Sequence, residues 1–250
     1  MQAWRLLRHS FVMLFGNFAI ALRLSAVLFA VQNISMMAYF ASGTSIAKLG
    51  LSPQFLIIWS FDKVIWMITG YWIAVAWHRF ILREETPTGF IPKFHGRRMM
   101  AYFGQSLLLF LLCWALGIGL TMIFVDLVMS RFDDLSLTFT KMTVIGAIVM
   151  LIAPIFFRFA AILPSAALGE RLAWGAAWRA TKGSTGALML VSLVLWVGLI
   201  WVSEHATNLI SGNLFLLTLW VIPFRWVFLM INVSILTTLY GHYVEKRALV

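Results

Sequence analysis

Residues 77–85, WHRFILREE, bring five ionisable side chains together at the end of an otherwise apolar run. A histidine and carboxylates are the side chains that general acid–base catalysis most often uses. The stretch supplies no partner arranged beside His78 for such chemistry. The favoured interpretation is therefore structural, with the charged residues marking the end of a helix.

The sequence lacks the short motifs that mark phosphate loops, zinc hydrolases and serine esterases, namely GxxxxGK[ST], HExxH and GxSxG. No set of His and Cys residues has metal-ligand spacing. The single cysteine, Cys113, lies inside an apolar run, which excludes an internal disulfide and a cysteine-based metal cluster. We therefore predict no catalytic residue, no metal site and no cofactor, and a protein that is not an enzyme.

The composition is that of a membrane protein. Of the 250 residues 62% are hydrophobic and 11% are charged, and the mean hydropathy is +0.93. Soluble domains contain about 45–50% apolar and about 25% charged residues. No window is polar enough to form a soluble domain, so residues 1–250 are predicted to form one membrane domain.

Six stretches are long enough to cross a bilayer, for which a helix needs about 20 apolar residues. They lie at about 24–40, 57–80, 102–128, 143–162, 186–203 and 214–240. The runs are continuous rather than alternating, which favours helices over outer-membrane strands. The predicted fold is an all-α integral membrane protein with six transmembrane helices.

Two further segments are amphipathic and are predicted to lie in the membrane interface. The first, residues 1–22, has an apolar stripe that avoids its basic residues, and the chain is expected to turn into the first span at about Arg23. That stripe consists of Trp4, Leu7, Phe11, Leu14 and Phe18. The second segment lies between the fourth and fifth spans, where Trp174 and Trp178 are one turn apart beside basic residues.

Lysines and arginines are distributed unequally over the two sides of the six predicted spans. One side, with both termini, holds Arg5, Arg8, Arg23, Arg79, Arg83, Lys93, Arg97, Arg98, Arg158, Arg171, Arg179, Lys182, Lys246 and Arg247. The other side holds Lys48, Lys63, Arg131 and Lys141. The positive-inside rule therefore places both termini in the cytoplasm. In this topology WHRFILREE is a cytoplasmic helix exit, with Trp77 in the aromatic belt and with Arg79 and Arg83 reaching the headgroups.

The net charge of +10 thus belongs almost wholly to the cytoplasmic side. Each Lys or Arg near an anionic leaflet contributes about 1 kcal/mol, so anionic phospholipid is the predicted partner, with another membrane-protein complex as a further possibility. Nucleic acid is not predicted, because the basic residues are scattered over loop ends. The candidate binding residues are Arg79, Arg83, Arg97, Arg98, Arg158, Arg171, Trp174, Trp178, Arg179 and Lys182.

Arg225 is the one ionisable residue that falls deep inside a predicted span. It follows Pro223, which frees a backbone carbonyl one turn earlier and favours a kink. Ionisable groups at such depth are functional candidates because their burial is costly. A snorkelling or helix-bridging arginine is one interpretation, and a polar intramembrane site is the other.

Two stretches resemble a known family. Residues 75–82, VAWHRFIL, precede a basic loop with prolines, and residues 158–170, RFAAILPSAALGE, are followed by AWRATKG at residues 177–183. Over nearly the whole chain the pattern resembles six-span bacterial inner-membrane proteins of the YciC type, and the membrane domain of some glycerophosphodiester phosphodiesterases. The resemblance implies a multi-pass protein of the bacterial inner membrane. It implies no phosphodiesterase activity, because that activity needs a separate soluble domain.

Two functions of different classes remain open at this point. The leading hypothesis is a non-enzymatic module that binds lipid, or serves as a scaffold or accessory subunit of a membrane complex, through its basic and aromatic cytoplasmic surface. The alternative is a transporter or channel for a small solute or lipid, with a cavity near Arg225.

Overall fold

The computed structural model describes residues 2–41, 53–129, 137–195, 198 and 214–249. Within these ranges the chain is all-helical and contains no strand. The helices are α1 (Gln2–Gly16), α2 (Phe18–Ala41), α3 (Pro53–Arg83), α4 (Gly96–Met129), α5 (Leu137–Phe159), α6 (Ile162–Leu168), α7 (Trp174–Ala180), α8 (Thr185–Leu195) and α9 (Leu214–Tyr243).

Four helical segments are long and apolar enough to cross a bilayer: Trp59–Arg83, Gly96–Phe124, Gly146–Leu168 and Leu219–Tyr243. The bent pair formed by α1 and α2 makes a fifth if it is counted as one span. The all-helical prediction is therefore confirmed, as is the presence of several apolar helices of membrane-spanning length. Of the predicted fifth span, the structure describes α8 and residue 198, so the count of six stays a prediction.

The first two helices meet at a sharp bend of 78° between Gln2–Gly16 and Phe18–Ile34. The break lies at Asn17, six residues before the expected turn at Arg23, which is inside α2. Glycine and asparagine favour helix ends, and the Asn17 side chain donates from Nδ2 to the Met13 carbonyl at 2.9 Å. The prediction of a turn at Arg23 is therefore wrong, because a charged residue alone does not end a helix, whereas glycine and asparagine favour helix ends.

Helix α1 has two apolar faces rather than the single stripe predicted. One face packs against α9 and buries Ala3, Leu6, Leu7, Ser10 and Leu14. The other exposes Trp4, Phe11 and Phe15. The predicted stripe is therefore divided, because Leu7 and Leu14 lie on the protein-facing side while the aromatic residues point away from the protein.

The core is concentrated at the end of the bundle that holds the ends of α3 and α9. There α3 packs against α2, α6 and α9, and α6 is buried along its whole length. Trp77 is fully buried in this core beside Phe80, with ring centroids 5.7 Å apart. The expectation that Trp77 lies in the aromatic belt is wrong, since hydropathy does not separate a core-facing tryptophan from a lipid-facing one.

Helix α4 lies at the periphery. Almost none of the residues in its most apolar stretch, Gly96–Phe124, are buried. Its most extensive contacts are with α3, α5 and α6, and much of its remaining surface is apolar and exposed. An exposed face of this composition is the one that hydrocarbon solvates best, so α4 presents a long surface to lipid.

Docking of α1 on α9 should depend on Leu14, which is fully buried in their contact. We expect Leu14→Ala to lower the free energy of unfolding in detergent micelles by about 2–5 kcal/mol, because it leaves a cavity. The neighbouring substitution Phe15→Ala removes a half-exposed ring and should cost about 0.5 kcal/mol or less. Equal losses in the two variants would contradict the assigned orientation of α1.

Candidate functional site

The segment between α3 and α4, residues 84–95, is held to the helix end by a charged network. Arg79 Nε donates to Glu85 Oε2 at 2.6 Å, and His95 Nε2 lies 2.8 Å from Glu85 Oε1. Arg79 Nη1 also donates to the Ala167 carbonyl of α6 at 3.3 Å. Burial raises the pKa of Glu85, but the hydrogen bonds from His95 and Arg79 outweigh it, so that the pKa lies below its usual value.

The same segment is fastened along its length to two spans. Arg23 of α2 donates from Nη2 to the Thr88 carbonyl at 3.1 Å, and Trp72 of α3 donates from Nε1 to the Pro92 carbonyl at 3.2 Å. Residues 84–95 are irregular, yet side chains of α2 and α3 bind them to the bundle. They therefore cover one side of the bundle end.

Arg83 is paired with Glu170, which follows α6. Oε1 of the Glu170 carboxylate accepts a hydrogen bond from Arg83 Nη2, and Oε2 accepts one from the Tyr240 hydroxyl of α9. Both carboxylate oxygens are thus engaged, and three parts of the chain meet at one side chain. Arg79 and Arg83 were predicted to reach the headgroups, but here each is bonded to a carboxylate of the protein itself.

Three of the predicted binding residues, Arg97, Arg98 and Arg171, line one open groove of about 930 Å³. The groove lies between the first turns of α4 and residues 165–173. No hydrogen bond or ion pair to described residues engages these three guanidinium groups, whereas Glu170, the acid of the groove, is already paired with Arg83. Away from the arginines the wall becomes apolar, with Leu107 and Leu108. The groove is therefore amphipathic.

A glycine leaves space for one of these arginines. Gly169 ends α6 in the left-handed conformation, with φ of 83°. A Cβ at this position would collide with Nη1 and Cζ of Arg98. The Arg98 guanidinium therefore lies against the Gly169 backbone, and a side chain at this position would displace it.

Another part of the predicted set forms a compact aromatic cluster at α7. The Arg158 guanidinium lies 3.4 Å from the centroid of the Trp178 ring and donates from Nη2 to the Trp178 carbonyl at 2.8 Å. The Trp174 indole donates to Gln105 Oε1 at 3.0 Å, and Phe159 packs on both tryptophans. These residues join α7 to α4 and α5. Arg179 and Lys182 are exposed beside the cluster and do not line the groove.

His78 is a structural residue in the described geometry. It is fully buried, with Nδ1 2.8 Å from Thr237 Oγ1 and Nε2 3.4 Å from the Tyr102 hydroxyl. Because the Thr237 hydroxyl donates to the Val233 carbonyl at 2.8 Å, its oxygen can accept from Nδ1. Both ring nitrogens therefore have a partner within the protein.

Arg225 lines a second cavity of about 350 Å³ between α2, α3 and α9. The wall also contains Gln32 of α2 and Trp66 of α3. Arg225 is partly buried and has an interaction partner within the protein. Within the described ranges, no three His, Cys, Asp or Glu side chains are grouped so that they could hold a metal ion.

Comparisons with protein-family models, with curated proteins and with solved structures found no match. The resemblance to YciC-type membrane proteins therefore rests on the residue pattern alone and stays a prediction.

Sequence reasoning missed the residues that arrange the groove, namely Gly169, Glu170, Tyr240 and Gln105. Gly169 carried a usable signal, because a glycine after an apolar helical run favours a left-handed helix end. The pairing of Glu170 with Arg83 carried none, since the two residues are 87 positions apart in sequence and no local pattern connects them.

The Glu85 network should make residues 84–95 sensitive to acid. Because the folded pKa of Glu85 is depressed, its stabilising contribution is present above the unfolded pKa and is lost as pH falls through the folded value. We expect Glu85→Gln to lower the melting temperature at about pH 7, and the difference from the wild type to shrink as pH falls below the ordinary glutamate pKa of about 4.3. Thermal unfolding in detergent at a series of pH values measures it. A difference that stays constant with pH would show that Glu85 does not act through its charge.

Proposed function

We propose that this protein is a non-enzymatic membrane module that binds an anionic phospholipid in the groove beside α4. The observation that carries the proposal is the pairing, in one open groove, of three arginines without described partners and an apolar wall. A phospholipid has the same division into a charged head and apolar chains. A soluble anion would use the arginines but would leave the wall without a function.

The charge balance of the groove favours an anionic head. The Glu170 carboxylate is neutralised by Arg83 and the Tyr240 hydroxyl, so it does not compete for Arg97, Arg98 or Arg171. Arginine binds phosphate oxygens through parallel N–H donors, which makes it well suited to a phosphodiester. Each such cation near an anionic leaflet contributes about 1 kcal/mol.

The shape of the groove fits the same ligand. Arg97 and Arg98 lie at the start of α4, where the helix N-terminus adds a favourable partial positive charge, and Arg171 lies in the segment after α6. Leu107 and Leu108 lie further along the same helix, two to three turns into the apolar stretch. Gly104, between the two regions, has no side chain and open space beside it. A lipid can place its phosphate at the arginines and its chains along α4.

An open, membrane-facing groove also favours lipid over a protein partner. The exposed side of α4 that continues from the groove is apolar and carries exposed Phe110 and Trp114. Acyl chains solvate such a surface without specific complementarity. A role as a scaffold or accessory subunit remains compatible with lipid binding, because the lipid would then form part of the contact with the complex.

The proposed topology places the groove in the cytoplasmic leaflet, with both termini in the cytoplasm, as the distribution of lysines and arginines predicts. We expect a fluorescent protein fused after residue 250 to fluoresce, and alkaline phosphatase fused there to be inactive. A fusion after Lys63 should give the reverse result. An active phosphatase at the C-terminus would contradict the topology, and would move the groove to the other leaflet.

Removing groove charge should weaken retention of anionic lipid. We expect Arg98→Gln and Arg171→Gln each to reduce the affinity for phosphatidylglycerol about fivefold, with little effect on phosphatidylcholine. Native mass spectrometry after delipidation, with the two lipids added in turn, measures both affinities. Arg179→Gln is the matched control, because Arg179 is exposed but outside the groove. Unchanged phosphatidylglycerol binding in both groove variants would refute the proposal.

A glycine pair tests the geometry without changing charge. Gly169 and Gly183 both have φ of 83°, but only a Cβ at Gly169 meets Arg98, whereas nothing lies within 4 Å of one at Gly183. Both alanine variants should therefore lose similar stability, on the order of 1 kcal/mol, from the backbone alone. Gly169→Ala should also weaken phosphatidylglycerol binding, since it displaces the Arg98 guanidinium. Equal binding by the two variants would mean that the position of Arg98 does not matter.

A further inference from the structure

The cavity at Arg225 lies far from the groove. Arg225 precedes the end of α9 by 18 residues and Trp66 precedes the end of α3 by 17, which at 1.5 Å per residue gives about 25 Å in each case. The cavity therefore lies more than halfway along both helices from the end of the bundle that holds the groove. It forms a site separate from the proposed phospholipid groove.

An amide in the cavity wall has an unmet hydrogen-bonding requirement. Gln32 is 4% exposed, and its Nε2 donates to the Trp66 carbonyl at 3.2 Å. Its carbonyl oxygen, Oε1, accepts no hydrogen bond from the described residues. A buried acceptor left without a donor is destabilising, so a glutamine at this position is unfavourable unless something else supplies the donor.

Apart from Gln32, Arg225 and Asn232, the wall is apolar and aromatic and consists of Phe29, Trp66, Phe224, Phe228 and Leu229. Among the described lining residues, Arg225 carries the only charge. A wall of this kind favours an apolar chain over a water-filled passage. The volume of about 350 Å³ is at the lower end of ligand cavities, which suits one chain better than two.

We infer that this cavity binds a single-chain amphiphile with a hydroxyl head, of the class of long-chain alcohols. The hydroxyl donates to Gln32 Oε1 and accepts from Arg225 or Asn232. Arg225 already has a partner within the protein, but its guanidinium carries five N–H donors and retains capacity for a further acceptor. An ionised carboxylate would satisfy the arginine but cannot donate to the glutamine oxygen.

The inference is tested with three diazirine-bearing probes of equal chain length: an alcohol, its methyl ether and the corresponding carboxylic acid. The protein in lipid nanodiscs is labelled by light, and the labelled peptides of α2, α3 and α9 are quantified by mass spectrometry. We expect the alcohol to label the cavity wall about tenfold more than the ether, because the ether has no hydrogen to donate. Equal labelling by alcohol and ether, or preference for the acid, would overturn the assignment.

Variants of the wall separate the hydrogen bond from the cavity itself. Gln32→Met keeps the side-chain length and should abolish the preference for the alcohol over the ether. Asn33→Leu is the matched control, because Asn33 is buried with an unpartnered Oδ1 but does not line the cavity. Leu229→Trp should fill the space and remove labelling by all three probes while Gln32 is intact. A preference for the alcohol that persists in Gln32→Met would refute the role of Gln32.

Discussion

The basic end of the molecule, where the groove lies, depends on the two hydrogen bonds that the Glu170 carboxylate accepts. One carboxylate connects α3 through Arg83 and α9 through Tyr240 to the segment that follows α6. That segment carries Gly169 and Arg171, so its attachment sets one wall of the groove. Because both oxygens of the Glu170 carboxylate are engaged by Arg83 and Tyr240, Arg97, Arg98 and Arg171 line the groove without forming an ion pair with it.

Within the bundle, two buried hydroxyl groups each make two hydrogen bonds. This lowers the free-energy cost of placing polar groups in an apolar layer. Ser25 donates to the Ala21 carbonyl at 2.6 Å and accepts from the Trp226 indole at 2.7 Å. Thr237 has the same arrangement with His78. In each case the hydroxyl hydrogen is donated to a backbone carbonyl of the same helix. The hydroxyl oxygen then accepts a hydrogen bond from a side chain of a different helix. These paired bonds fix how α9 packs on α2 and α3 without any buried charge.

The sequence predicted the parts of the fold that depend on local composition. Within the described residues the apolar runs correspond to helices. The abundance of lysines and arginines on one side brought Arg97, Arg98 and Arg171 into the candidate set, and the structure joins them in one groove. The sequence did not predict which way Trp77 and the apolar residues of α1 face, because in a membrane protein both the core and the lipid-facing surface are apolar. Pattern alone therefore does not say which face is buried. Contacts between residues that are distant in sequence, such as Arg83 and Glu170, could not be predicted from a local pattern either.

The two proposed sites differ in how the protein has prepared them. In the groove, the acid is paired with Arg83 and the Arg98 guanidinium lies against the Gly169 backbone, so the cationic surface exists before any ligand arrives. In the cavity, the glutamine oxygen is left without a donor, which is unfavourable until a ligand supplies one. Arginines that are already in position favour the binding of many related anions. A buried acceptor without a donor, such as Gln32 Oε1, instead favours ligands that carry a hydrogen to donate. The first site should accordingly be tolerant of headgroup and the second selective, because leaving a buried polar group unpaired is more costly than exchanging one phosphate for another.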